Sequence, residues 1–97
     1  MFRHVVLFSW KPESTDEQRL ALAEQLRQLP GVIGTIRGYH VGPDVAVNTG
    51  NADFAVVAEF DDEAGYLVYR DDPEHRRIIA EYLQPILDSR AAVQFES

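Results

Sequence analysis

Two stretches of this chain are apolar on both sides of a strand, which limits its possible folds more than any other feature. In Phe2–Trp10, alternation places Phe2, His4, Val6, Phe8 and Trp10 on one face and Arg3, Val5, Leu7 and Ser9 on the other. Phe54–Phe60 is an almost unbroken apolar run. Strands of this kind lie inside a sheet with both faces covered. The chain has 97 residues, room for a single domain spanning 1–97 and one core. Few elements are therefore available to cover two faces.

The remaining elements follow from caps, breakers and periodicity. Lys11-Pro12 ends the first strand, and Ser14, Thr15 and Asp16 offer N-cap oxygens supported by Glu17 and Gln18. Leu20, Ala23, Leu26 and Leu29 then recur at helical spacing as far as Pro30-Gly31. A second strand is expected over Ile33–Val41, where Gly34 and Gly38 suggest a bulge or a close backbone approach. Gly42–Asp53 is rich in turn residues and reads as a long loop. After Phe54–Phe60, Asp61-Asp62-Glu63 starts a helix with acids at its positive end. That helix breaks at Asp72-Pro73 and resumes from Glu74 to Leu83. A turn at Pro85–Asp88 leads into a last strand, Ala91–Glu96.

The order is β-α-β-β-α-β, an α+β chain of the ferredoxin-like type: a four-stranded antiparallel sheet with its helices on one face. The helices leave the opposite face bare. The expected cover is a second copy of the chain, giving a homodimer whose two sheets pack into a dimeric α/β barrel.

Composition excludes several classes of function. Sixteen acidic residues against nine basic ones give a formal charge of −7, and there is one lysine, Lys11. Such a surface repels phosphate backbones and anionic membranes, so no nucleic-acid or membrane partner is expected. Arg70 beside Asp71 and Asp72, and Arg76 and Arg77 after Glu74, read as solvated helix surface. There is no cysteine, which removes thiol chemistry and suits a reducing cytoplasm. Arg3, His4 and Lys11 interrupt the first apolar run, so no secretory leader is expected there, and no run reaches membrane-spanning length.

The residues with chemistry to offer lie at the helix break. Tyr69-Arg70-Asp71-Asp72-Pro73-Glu74-His75 sets a phenol and an imidazole six residues apart. Ile78, Ile79, Tyr82 and Ile86 follow at helical spacing and put His75 on or beside the buried face. A neutral imidazole bonded to Tyr69 could take a proton from a carbon next to a carbonyl, while the phenol donates to the developing enolate. The plainer alternative is a core histidine stitched across the break by one hydrogen bond. His4 has its own plain reading as a strand-end histidine held by a backbone carbonyl. Asp61, Asp62 and Glu63 read as helix-cap residues, and Asp44, Asn48, Asn51 and Asp53 lack the alternation of a calcium loop. No metal is expected.

His4-Val5-Val6-Leu7-Phe8, Phe54 through Asp61, Tyr69 through His75 and Ala92-Val93-Gln94-Phe95-Glu96, in that order, resemble the stress-responsive dimeric α/β-barrel (Dabb) family. The resemblance covers nearly the whole chain. It implies a homodimer and a cavity between helices and sheet. On this chain the expected lining is His4, Val6, Phe8, Phe54, Val56, Tyr66, Ile79 and Tyr82, with a small hydrophobic or aromatic ligand. One plant branch of the family is similar to a cofactor-free polyketide cyclase. There a tyrosine and a histidine at the spacing of Tyr69 and His75 form the acid–base pair, and a histidine matching His4 lines the cavity. This chain departs from that branch at Phe54 and at Asp72, where the branch has histidines.

Three readings follow. The first is a binding protein for a small, largely apolar molecule. The second is a cofactor-free cyclase or lyase with Tyr69 and His75 as its catalytic pair. The third is a cofactor-free monooxygenase of a related barrel family. Related heme-binding barrels would need His75 as the helical proximal ligand. The neighbouring Asp71, Asp72 and Glu74 suit heme propionates poorly, so no cofactor is expected.

Overall fold

The computed structural model describes residues 1–97. Four strands, β1 (Phe2–Trp10), β2 (Ile36–Pro43), β3 (Phe54–Phe60) and β4 (Leu87–Glu96), form one sheet in the order β2-β3-β1-β4. All three pairings are antiparallel. Three helices complete the fold: α1 (Asp16–Gln28), α2 (Glu63–Asp71) and α3 (Pro73–Ile78). This is a ferredoxin-like fold.

Local chemistry explains where the helices begin. Thr15 and Gln18 form a reciprocal capping box at the start of α1, with the Gln18 N–H on Thr15 Oγ1 and the Thr15 N–H on Gln18 Oε1. Asp62 caps α2 by accepting from the Gly65 N–H at 2.9 Å. Asp72 ends α2 in an extended conformation, as a residue before proline must, and its carboxylate then accepts from the N–H groups of Glu74 and His75. One aspartate therefore fixes the angle at which His75 enters the fold.

Two strand boundaries differ from the sequence expectation. β2 begins at Ile36, because Ile33 buries its side chain in the turn ahead of the strand. The expected irregularity lies at Gly38, where the β2–β3 register shifts. A Cβ there would collide with the Glu59 carboxylate, which pairs with Arg3. β4 begins at Leu87, four residues before the expected start at Ala91, because pairing with β1 continues through Arg90, Ser89 and Leu87. The Asp44–Asp53 loop is tied down at its end. The Asp53 carboxylate accepts the Trp10 N–H at 2.7 Å, and the Asp53 N–H donates to the Phe8 carbonyl at 2.8 Å.

The core lies between the helices and the inner sheet face, where Phe60, Leu22, Leu29, Ile33, Ile78 and Ile86 are fully buried. Each contributes about 1.5–3 kcal/mol of burial free energy. The outer face carries Val5, Leu7, Val57, Val93 and Phe95, and nothing in the chain covers it. Leu7, Val93 and Phe95 are 41%, 53% and 43% exposed.

Candidate functional site

A cavity of about 270 Å³ lies between the inner face of β1, β3 and β4 and the wall made by α1, α2, α3 and the segment after α3. Its floor is His4, Val6, Phe8 and Val56, and its walls include Leu22, Leu26, Tyr66, Tyr69, His75 and Ile79. Of the ten site residues expected from sequence, eight reach it.

Phe54 and Tyr82 do not. Phe54 packs against Phe8 and Trp10, with ring centroids 6.2 and 5.6 Å away, and lies outside the cavity. Tyr82 is half-buried on the core outside the cavity, with the Arg77 guanidinium 5.9 Å from its ring centre. It belongs to Ile79–Leu83, a π-helical turn in which the Gln84 N–H bonds the Ile79 carbonyl. In that turn Leu83, which continues the i, i+4 row of His75 and Ile79, takes the place beside the cavity.

The site rings are tightly grouped. The His75 and Tyr69 centroids are 4.0 Å apart, and His4 lies 4.8 Å from Tyr66 and 6.0 Å from Tyr69. The expected hydrogen bond between Tyr69 and His75 is not formed: the two rings lie against each other tilted by 30°, and the polar atoms of each find other partners. The Tyr69 hydroxyl bonds Tyr39 at 3.0 Å, and His75 Nδ1 faces the Arg70 carbonyl at 3.3 Å. A carbonyl only accepts, so His75 carries its proton on Nδ1 and leaves a lone pair on Nε2. His4 has the opposite arrangement: its Nδ1 accepts from the Gln94 side-chain amide at 2.8 Å, which puts the proton on Nε2. Neither Nε2 bonds a protein group, and no fully buried side-chain nitrogen lacks a partner. Both atoms therefore keep access to the cavity that both rings line.

Burial sets the protonation states. Desolvation, helped by Arg90 and His75, lowers the His4 pKa to about 4. Burial also lowers that of His75, against the opposing pull of the Arg70 and Tyr69 carbonyls and Asp72. Tyr39 is pushed up to about 12 by burial, and Tyr69 rises far above the ordinary phenol range for the same reason, reinforced by Tyr39. At neutral pH the site thus offers a lone pair on His75, an N–H on His4 and a phenol that stays protonated. No cluster of His, Cys, Asp or Glu is arranged to hold a metal.

Sequence reasoning missed Tyr39, Gln94, Arg76 and Arg90. Tyr39 was open to discovery, since it shares a strand face with Val41, two residues further on. Gln94 and Arg90 become site residues only through the β1–β4 register, which sets them opposite His4 and Phe8.

The family model for the stress-responsive A/B barrel domain matches residues 2–97. The chain belongs to that family. A dimeric ferredoxin-like protein of unknown function from Thermobifida fusca YX is 40% identical, with 99% of this chain and 90% of that one covered and a TM-score of 0.91. A hydroxynitrile lyase from Passiflora edulis shares the fold at 15% identity and TM-score 0.83, over 97% of this chain and 90% of that one. An antibiotic biosynthesis monooxygenase does so at 16% identity and TM-score 0.79, over 100% and 98%. None of the curated proteins matches the chain. No helix is long and apolar enough to cross a membrane.

Proposed function

We propose that this chain works as a homodimer in which each copy holds a small, largely apolar molecule in the cavity between sheet and helices. The observation that carries the reading is the cavity itself, about 270 Å³ of space inside a 97-residue domain. A concave, mostly apolar pocket with a few polar groups converging on it is the default binding site. The bare outer sheet face supports the dimer, as does the 40% identical Thermobifida relative described as dimeric. A filling substitution tests the binding. Wild-type protein should shift the methyl NMR signals of Leu26 and Ile79 on titration with indole, and Val56→Phe should abolish the shifts. Unaltered indole binding in the filled variant would place the ligand elsewhere.

A second reading, proton transfer without a cofactor, is favoured by the opposite tautomers of the two histidines. His75 Nε2 is a base at neutral pH, and His4 Nε2–H is a donor for the oxygen on which charge develops. The hydroxynitrile lyase among the structural neighbours is compatible with this chemistry, although at 15% identity it shares the fold alone. The monooxygenase reading likewise has only the fold to support it. Hydrogen–deuterium exchange of acetylacetone gives a direct assay. A proton-transfer site accelerates it, and His75→Gln should remove roughly 10²-fold of that acceleration.

A further inference from the structure

Charge is distributed unevenly around the cavity. The chain carries sixteen acidic residues, yet no aspartate or glutamate lines the cavity. Its charged lining consists of Arg70, Arg76 and Arg90. Arg70 is taken up by Asp71, whose carboxylate it holds through Nε and Nη2 at 2.9 and 3.1 Å. Arg76 and Arg90 are in no ion pair and make no side-chain hydrogen bond. In the same molecule Arg3, Arg19, Arg37 and Arg77 all find carboxylates. With acids in a large majority, two unpartnered guanidinium groups at one cavity show a local positive field that the protein's overall charge opposes. Both arginines also bear on the imidazoles: Arg90 disfavours protonation of His4, and Arg76 that of His75.

We infer that the cavity takes an apolar molecule bearing a single carboxylate, with the carboxylate at the Arg76 and Arg90 end and the apolar body against Val6, Leu26 and Ile79. A guanidinium binds a carboxylate through two parallel N–H···O bonds, and a donor of this kind left free beside an apolar cavity is suited to an anionic head on an apolar body. The His4 Nε2–H supplies a further donor from the cavity floor. At about 30 Å³ per water-sized group in a liquid, the cavity holds roughly nine such groups, which sets the size of the molecule. The inference rests on the binding reading above and adds the ligand's chemical class.

Octanoate and 1-octanol separate the two. They share nearly the same body and differ in the charged head. Isothermal titration of the wild-type protein should show octanoate binding at least tenfold more tightly than octanol. Arg76→Gln/Arg90→Gln, both changes being at exposed positions, should bring octanoate down to the octanol level and leave octanol binding unchanged. Equal binding of both molecules by the wild type, or full octanoate binding by the double variant, would overturn this inference and leave the cavity reading standing. Binding of neither would overturn both.

Discussion

Lowering the pH from 6.5 to 5 should remove about 1.5 kcal/mol of stability from this protein through His4 alone. The unfolded chain protonates this side chain near its ordinary value of 6.5, whereas the folded protein holds it neutral to about 4. A folded pKa below the unfolded one means that the unfolded state binds more protons in between. The contribution of neutral His4 is therefore fully present above pH 6.5 and is lost as the pH falls toward 4. A full proton difference is worth about 1.4 kcal/mol per pH unit; with the unfolded side chain only half protonated at pH 6.5, the window from 6.5 to 5 accounts for about 1.5 kcal/mol. His75, whose pKa is also lowered, adds a loss of the same sign. Asp71 and Glu74, held below ordinary values of 3.8 and 4.5 by Arg70 and Arg77, lose their stabilisation only at lower pH and stay largely outside this window. Thermal melts at pH 6.5 and 5 read the effect as a fall in Tm of roughly 10 °C for a domain of this length. His4→Phe keeps a ring between Tyr66 and Tyr69, frees Gln94 to bond water and removes the titrating group, while His75 is common to both proteins. The difference in slope between wild type and variant isolates His4. Equal slopes would refute the reasoning, as would an imidazole NMR titration in which His4 protonates near pH 6.5.

Two further outcomes concern the sheet face and the tyrosine pair. Leu7→Asp should dissociate the dimer proposed above. Covering the exposed 41% of Leu7 contributes about 0.6–1.2 kcal/mol per copy, and burying a carboxylate costs several more. The dissociation constant should rise on the order of 10³-fold, and sedimentation velocity that still finds a dimer would contradict face-to-face packing of the sheets. Tyr39→Phe leaves the hydroxyl of Tyr69, a residue only 2% exposed, without its partner, and should cost about 1–3 kcal/mol in urea unfolding. Tyr69→Phe should cost less, because the half-buried Tyr39 can turn its hydroxyl toward water. The reverse order would remove the bond between them from the account.

The architecture was legible because its signals are local. Alternation along Phe2–Trp10, the Thr15–Gln18 capping pair and the Asp72-Pro73 break each act over a few residues, and each forms the element its spacing requires. The bare face followed by elimination, since two helices cannot cover two faces of one sheet. The site was legible only in part, for the same physical reason in reverse. Tyr69 and His75 could be paired from their spacing, but whether their rings meet edge to edge or stack depends on where Tyr39 and the Arg70 carbonyl stand. The π-helical turn at Ile79–Leu83 puts Leu83 beside the cavity and Tyr82 outside it, and the two lie on rows (His75–Ile79–Leu83 and Ile78–Tyr82–Ile86) that helical spacing alone does not rank. Gln94 and Arg90 lie some ninety and eighty residues from the groups they face. Strand register alone brings them to His4 and Phe8. The sequence by itself determined the elements, their order and the residue types that could carry chemistry. Tertiary structure decided the tautomers, the protonation states and the charge around the cavity, because these depend on desolvation and on partners that meet only when the sheet forms.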